Sequence, residues 1–295
     1  MKKIPYLLAS LISLPLVAAE KCGITNFVTC IPQKIAEYFL MLIYLPIIPL
    51  LSIIQKFLSE PVSISIFHSL WGIMIYVISI FYGLLFLFSG FNFIISGYDA
   101  VKRAKAKEWL KNTLLMIFFV QASFVIYSLL NDLSSLLASG VMNMIDDRFF
   151  MLTANSLTDL SLSLALGLVY MLILLITVVL VSLRYLIVGC GVVLFPIGLF
   201  LYFIPPLRDY GKLILNTLFT LMFLPFFLSL ELLMASMMLE LPIFENFKVV
   251  VMISGFSMVN FTMLFLLVFG LVKAVFSVTR SDVGQAVSMG IRYIK

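Results

Sequence analysis

The sequence predicts an all-α, polytopic helical membrane protein with five transmembrane helices, six being the alternative, plus an exterior interfacial helix. Hydrophobic residues make up 63% of the 295 residues and charged residues 11%, whereas soluble domains contain about 45–50% apolar and roughly 25% charged residues. The mean hydropathy is +1.19. The apolar residues also form long uninterrupted blocks, and about 20 consecutive apolar residues are enough for a helix to cross a bilayer.

Residues 1–19 have the features of a cleaved secretory signal peptide. Two lysines at the start are followed by an apolar stretch, which ends in the small residues Val17-Ala18-Ala19. This order of a positive, an apolar and a small-residue region is typical of a signal peptide. A retained first helix is the alternative interpretation. In both cases we expect residue 20 onward to begin outside the membrane.

Residues 20–60 are predicted to form an exterior N-terminal segment. It contains Cys22 and Cys30, which we expect to pair because exterior thiols are oxidised; two unpaired thiols are the alternative. Within 33–60 the apolar stretch is short and holds Pro46 and Pro49. A crossing there would place the basic loop that follows the next apolar block outside, against the positive-inside preference. We therefore interpret 33–60 as an interfacial or re-entrant helix.

Residues 61–278 contain the predicted transmembrane domain. Its apolar blocks are Ile64–Gly97, Asn112–Val141, Leu157–Ile204, Leu213–Leu239 and Val249–Val278. The loop between the first two blocks carries five basic residues, namely Lys102, Arg103, Lys105, Lys107 and Lys111. This charge places the loop on the cytoplasmic side. It could dock a cytoplasmic ATPase, anionic lipid or nucleic acid, although topological anchoring alone would also explain it.

The block Leu157–Ile204 determines the number of crossings. As one helix it would be roughly 70 Å long, about twice the hydrocarbon thickness. Two crossings would place Arg208, Lys212 and the C-terminal tail outside. One crossing, continued by a bent or re-entrant piece at Gly189, Gly191 and Pro196, places them inside and puts both acidic loops outside. We therefore expect five crossings, an outside N-terminus and a cytoplasmic tail over 279–295.

Ionisable residues inside apolar helices are the main candidates for function, because a charge is costly to bury in lipid. Arg184 and Glu231 are expected either to line an aqueous path or an inter-helix contact, or to reach the headgroups from a position near an interface. Asn216 and Asn260 could bond between helices, and Pro196 and Pro225 are expected to bend theirs. Gly83, Gly90 and Gly97 lie seven residues apart, which suggests close helix packing.

The sequence offers no machinery for catalysis. With three cysteines and one histidine, it lacks a metal cluster of the usual spacing. It also lacks phosphate-binding loops and the common hydrolase motifs. We therefore predict a protein that is not an enzyme and has no cofactor. The remaining alternative class is a secondary transporter or permease for a small solute, although such proteins often contain two related halves, and no internal repeat is evident.

Several residues together resemble the polytopic inner-membrane component of type IV secretion and conjugation systems, the TrbL-like group, including related archaeal proteins of the Ced-type DNA-import system. Arg184-Tyr-Leu-Ile, then Pro196, then Tyr202-Phe-Ile-Pro-Pro-Leu-Arg208 are similar to that group's Arg…Pro…Leu-Pro…Arg signature. Pro225 and the Lys105–Asn112 run add to the likeness. Tyr210-Gly211-Lys212 departs from it, since many members are rich in tryptophan there.

The resemblance implies a non-enzymatic channel or assembly subunit of a DNA-transfer machine in the cell membrane. Its implied partners are a cytoplasmic ATPase, small pilin-like membrane subunits and the transported DNA. We also expect a homo-oligomer in the lipid bilayer. The Cys22–Cys30 hairpin and 33–60 would then form an exterior collar where partners dock.

Overall fold

The computed structural model describes residues 45–146 and 160–280, together with Tyr38, Leu42 and Phe149. These residues form seven α-helices: α1 (Ile47–Ser59), α2 (His68–Ile95), α3 (Ala100–Gln121), α4 (Ser123–Met142), α5 (Leu160–Phe203), α6 (Arg208–Met238) and α7 (Lys248–Arg280). Short 3-10 helices at Ile64–Phe67, Ser96–Tyr98, Pro205–Leu207 and Pro242–Phe247 connect them. The signal peptide, Cys22, Cys30 and the tail from residue 281 lie outside the described residues.

The molecule is a helical membrane protein, as the sequence predicts. Within the described part of the chain, five helical segments are long and apolar enough to cross a membrane. They are Ile64–Ile95, Ser123–Met142, Leu164–Phe203, Pro205–Met238 and Lys248–Gly270. The predicted number of five spans is therefore the number found by length and composition.

Helix α1 is the short helix expected in the segment 33–60. It begins directly after Pro46, and Pro49 lies in its first turn, where a missing backbone N–H costs nothing. One face of α1 is buried and consists of Ile47, Leu51, Ile54 and Leu58. Because this face packs against α4, α5 and α6, the helix is held by the bundle as well as by its amphipathic character.

Helices α2 and α3 form a long antiparallel hairpin. At one end Trp71 of α2 donates to the hydroxyl of Ser123, the first residue of α4, over 2.9 Å. Further along, the ring centroids of Phe88 on α2 and Trp109 on α3 are 5.4 Å apart. The basic segment predicted as a loop with helical character is the start of α3. Asp99 caps this helix by accepting from the backbone N–H groups of Val101 and Lys102, which explains why the helix begins before the charges.

Helix α5 is one unbroken helix of 44 residues with Pro196 inside it, so the chain does not break around Gly189, Gly191 and Pro196 as a re-entrant piece would, whereas a bend at Pro196 stays a prediction. At 1.5 Å per residue the helix is about 66 Å long. Its N-terminal half contacts α7, where Tyr170 meets Phe256. Its C-terminal half contacts the α2–α3 hairpin, where Phe203 stacks on Phe119. Packing on several sides keeps the helix continuous despite the hydrogen bond that Pro196 removes.

Helices α5, α6 and α7 enclose the main core. Fully buried apolar side chains fill the space between them, among them Leu174, Met222, Leu228, Leu232 and Met263. Helix α2 differs from the helices of the core, because only 6% of its most apolar stretch is buried. Among the described residues, apolar side chains fill the space between these helices, and α2 is one long apolar helix on the surface.

Candidate functional site

Arg184 lies near the middle of α5 and is only 3% exposed. Its guanidinium donates two hydrogen bonds to backbone carbonyls of α6. Nε lies 2.9 Å from the oxygen of Leu221, and Nη2 lies 3.2 Å from the oxygen of Met222. Arg184 is thus an inter-helix residue in the core, and the alternative in which its side chain reaches the headgroups does not apply.

The reason for this contact is the proline one turn later in α6. In a regular helix the oxygen of Leu221 would accept from the N–H of residue 225, but Pro225 has no N–H. An unpaired carbonyl in a protein core costs about 1–3 kcal/mol. Arg184 supplies the missing donor from a neighbouring helix. The sequence marks Arg184 and Pro225 separately, and the structure joins them.

A layer of polar side chains from α4 surrounds this contact. Ser134 donates to the oxygen of Met222, the same atom that Arg184 Nη2 approaches. Asn131 donates to the oxygen of Val62 over 3.1 Å, and Ser135 donates to the oxygen of Ser59 over 2.6 Å. We call Asn131, Ser134, Ser135, Arg184 and Tyr185 the polar layer.

Tyr185 completes the polar layer from α5. Its hydroxyl accepts from the backbone N–H of Ser63 over 3.1 Å. The connector between α1 and α2 is therefore hydrogen-bonded at Ser59 and Val62 by α4, and at Ser63 by α5. This arrangement fixes the point at which the chain leaves the bundle and enters the exposed helix α2.

The charge of Arg184 has no carboxylate partner. Within the described part of the chain, no carboxylate lies within 4.0 Å of its guanidinium, and the ion pairs Lys56–Glu60, Lys102–Asp99 and Lys212–Asp209 do not involve it. An isolated buried charge is expensive unless it is hydrogen-bonded. Here two carbonyl dipoles take that role. The polar layer consequently holds one positive charge in the core, stabilised by backbone oxygens.

Tyr127 of α4 and Gly191 of α5 lie next to the polar layer, where α4 and α5 are in close contact. The buried hydroxyl of Tyr127 donates to the oxygen of Val188, and the Tyr127 ring packs edge-on against Phe195 with centroids 5.3 Å apart. A Cβ at Gly191 would collide with that hydroxyl and with a methyl of Leu218. Gly191 therefore permits close contact between three helices.

Sequence reasoning missed Tyr127, Asn131, Ser134 and Ser135. A signal for them existed: they occupy positions i, i+4, i+7 and i+8 of one apolar helix, so they share one face. Polar side chains on one face of a membrane helix indicate contact with another helix. Asp132 of the same helix was also missed, and it is exposed.

Glu231 lies on α6 away from Arg184 and does not pair with it. One carboxylate oxygen, Oε1, accepts from the hydroxyl of Thr262 on α7 over 2.7 Å. The other oxygen, Oε2, is buried without a partner in the described part of the chain. Nine residues of helix separate Glu231 from Met222, about 13 Å along the axis. Arg184 and Glu231 are thus at different depths.

The two asparagines predicted to bond between helices differ in burial and in hydrogen bonding. Asn260 of α7 donates to the oxygen of Ile173 on α5 over 3.1 Å, whereas its own side-chain oxygen is buried without a described partner. Asn216 is exposed, and its side chain makes no inter-helix hydrogen bond among the described residues. Asn260 therefore has the inter-helix contact predicted for both, and Asn216 does not.

The three glycines that lie seven residues apart, in α2 and in the 3-10 helix after it, do not have the close helix contacts expected of them within one chain. A Cβ at Gly83, Gly90 or Gly97 would meet no atom within 4 Å. The basic residues of α3 are likewise exposed. Among the described residues, no group of three His, Cys, Asp or Glu side chains could hold a metal ion.

Comparison of the chain with protein families, with curated proteins and with solved structures finds no match.

Proposed function

We propose that this protein is a channel or assembly subunit of a DNA-transfer machine in the cell membrane, of the type IV secretion-like kind that serves conjugation or DNA import. The observation that carries the proposal is that most of the residues on which the sequence resemblance rests, from Arg184 to Pro225, form one structural unit, the α5–α6 hairpin. Arg184 bonds the carbonyl that Pro225 leaves free. At the turn, the guanidinium of Arg208 lies 5.1 Å above the ring of Tyr202.

The closed interior supports a path that is built from several chains. Buried apolar side chains and the polar layer fill the space between α4, α5 and α6. The apolar face of α2 is left exposed, and it is available to lipid, to further copies or to small membrane subunits. In this proposal the translocation path lies between subunits, and each chain supplies a wall.

The charge distribution supports an outside N-terminus and a cytoplasmic C-terminus. Because Phe119 stacks on Phe203, the α2–α3 hairpin extends toward the same end as the α5–α6 turn. That end carries the basic residues of α3 together with Arg208 and Lys212. The opposite end carries Asp146 and Glu240. Basic residues concentrate on the cytoplasmic side of membrane proteins, where the ATPase would dock.

A gene deletion tests the proposal. We expect loss of DNA transfer with unchanged uptake of nutrients, and recovery of transfer when the wild-type gene or a Gly90→Ala variant is supplied. Gly90→Ala is a suitable control because an added Cβ meets open space. DNA transfer at the normal frequency in the deletion strain would refute the proposal.

A secondary transporter is the second candidate, and Glu231 favours it. An intramembrane carboxylate with a buried, unpartnered oxygen is typical of sites that bind a proton or a cation. Uptake of a solute by the purified protein in vesicles, driven by an imposed ion gradient and abolished by Glu231→Gln, would favour this function. Absence of such uptake together with loss of DNA transfer on deletion would favour the first.

A further inference from the structure

The α2–α3 hairpin ends in a cavity with an unusual lining. It has a volume of about 410 Å³ and is lined by Gly97, Ala100, Arg103, Ala104 and Lys107. Two of these residues are cationic, and the other three are the smallest side chains available. Arg103 and Lys107 are one helical turn apart and thus share a face of α3. All five residues are exposed, so the cavity is an open cleft on the surface with two cations along one side.

The side chain of Arg103 is oriented by the chain itself. Its Nη2 donates to the oxygen of Gly97, which places the guanidinium above the small residues. A guanidinium has five N–H donors, so most remain free for a ligand. Asp99, the nearest acidic residue in sequence, is occupied: it caps α3, and its carboxylate lies 4.0 Å from the ammonium of Lys102.

The surface beside the cavity is strongly apolar. Phe91, Ile94 and Ile95 of α2 are 64%, 78% and 72% exposed, and they immediately precede Gly97 in the chain. Trp109 of α3 packs against Phe88 on the same hairpin, and tryptophan is enriched at the membrane–water boundary. A cationic cavity and exposed apolar side chains thus adjoin at the end of the α2–α3 hairpin, beyond Trp109.

From this juxtaposition we propose that the cavity binds the phosphate headgroup of an anionic phospholipid, whose acyl chains lie along α2. The phosphate oxygens accept from Arg103 and Lys107, and the acyl chains cover Phe91, Ile94 and Ile95. A nucleic acid would satisfy the two cations but leave the aliphatic side chains uncovered. The inference does not depend on DNA transfer.

The experiment measures how much phosphatidylglycerol and phosphatidylcholine remain bound to the purified full-length protein, by native mass spectrometry from a mild detergent. We expect the wild-type protein to retain phosphatidylglycerol preferentially. The double variant Arg103→Gln with Lys107→Gln should lower that retention about tenfold. The matched control is Lys105→Gln with Lys111→Gln, which removes the same charge from residues of α3 that do not line the cavity, and it should retain the lipid.

A second pair of variants tests the cavity without changing charge. Gly97→Leu fills the cavity, and the backbone at Gly97 accepts any L-residue because no glycine described here has a positive φ. Gly90→Leu is its control on the preceding helix α2, where an added Cβ also meets open space. We expect Gly97→Leu to lose phosphatidylglycerol and Gly90→Leu to keep it.

Four results would overturn the inference. If both double variants lost phosphatidylglycerol to the same extent, the lipid would be attracted by the whole basic segment and not by the cavity. Unchanged binding in Gly97→Leu would mean that the cavity is not the site. Full competition by millimolar inorganic phosphate would identify a site for a free anion. Binding of an oligonucleotide that is lost in the same variants would instead favour nucleic acid.

Discussion

The Nε of Arg184 lies 2.9 Å from the carbonyl oxygen of Leu221, the atom that the proline at position 225 leaves without a helical donor. The contact joins two features of the sequence that each destabilise a membrane helix alone. A buried arginine needs acceptors, and a proline inside a helix leaves an acceptor unpaired. Because each supplies what the other lacks, we expect their effects on stability to be coupled.

The first prediction concerns this coupling. Arg184→Met should destabilise the protein by about 1–3 kcal/mol, because the oxygen of Leu221 loses its donor while Ser134 still serves the oxygen of Met222. In a Pro225→Ala background the new N–H can bond to Leu221 within α6, so the same arginine substitution should cost at least about 1 kcal/mol less. Thermal unfolding of the four proteins in detergent measures the difference.

Additive effects in these four proteins would contradict the coupling. Arg184→Lys serves as a further control, because an ammonium keeps the charge but lacks the planar fork that reaches two carbonyls at once. We expect the free energy of unfolding of Arg184→Lys to lie between those of the wild-type protein and Arg184→Met. If the lysine variant were as stable as wild type, charge alone would account for the role of Arg184.

The transmembrane spans could be predicted from the sequence, because the hydropathy of a span depends only on its own residues. The contacts of the core could not be predicted, because they depend on how distant helices pack. Arg184 and Pro225 were both recognised as unusual, but their pairing depends on how α5 packs against α6. The charge pattern predicted a bent or re-entrant piece at Gly189, Gly191 and Pro196, because a single crossing places the basic segments inside. In the folded chain Gly191 faces Tyr127 and Leu218, so its small size serves packing and the helix continues.

The second prediction compares two helical glycines. Gly191→Ala should destabilise the protein by about 1–3 kcal/mol, since the added methyl overlaps the hydroxyl of Tyr127. Gly83→Ala should be neutral or should stabilise by up to about 1 kcal/mol, because alanine is a better helix former and the site is open. Thermal unfolding distinguishes the two substitutions.

Tyr127→Phe tests the cause of the clash at Gly191. Removing the hydroxyl should partly restore the stability of Gly191→Ala, although the neighbouring ring carbon of Tyr127 stays 3.2 Å from the new Cβ. Equal destabilisation by the alanine substitutions at 191 and 83 would show that the close approach of α4 to α5 is absent in the membrane.

The third prediction concerns the orientation of the chain. In a variant in which its three native cysteines are replaced by serine, single cysteines at Lys105 and Ser281 should be protected in intact cells from a membrane-impermeant maleimide. A cysteine at Glu240 should be labelled, because α6 returns the chain to the exterior face. Labelling of Ser281→Cys in intact cells would overturn the five-crossing topology. Labelling of all three sites after permeabilisation confirms that each is reactive.

The last prediction separates the two candidate functions at Glu231. Glu231→Gln keeps an oxygen for the hydroxyl of Thr262 and removes a charge from a site with one unpartnered oxygen, so its thermal stability should equal or exceed that of the wild-type protein. Glu231→Leu loses the acceptor of Thr262 and should cost about 1 kcal/mol. Glu240→Gln, at an exposed position, is the neutral control.

Because we expect Glu231→Gln to remain folded, any loss of activity in that variant reports on the carboxylate of Glu231. Loss of gradient-driven solute uptake would assign Glu231 to transport, whereas unchanged DNA transfer would identify it as a packing residue between α6 and α7.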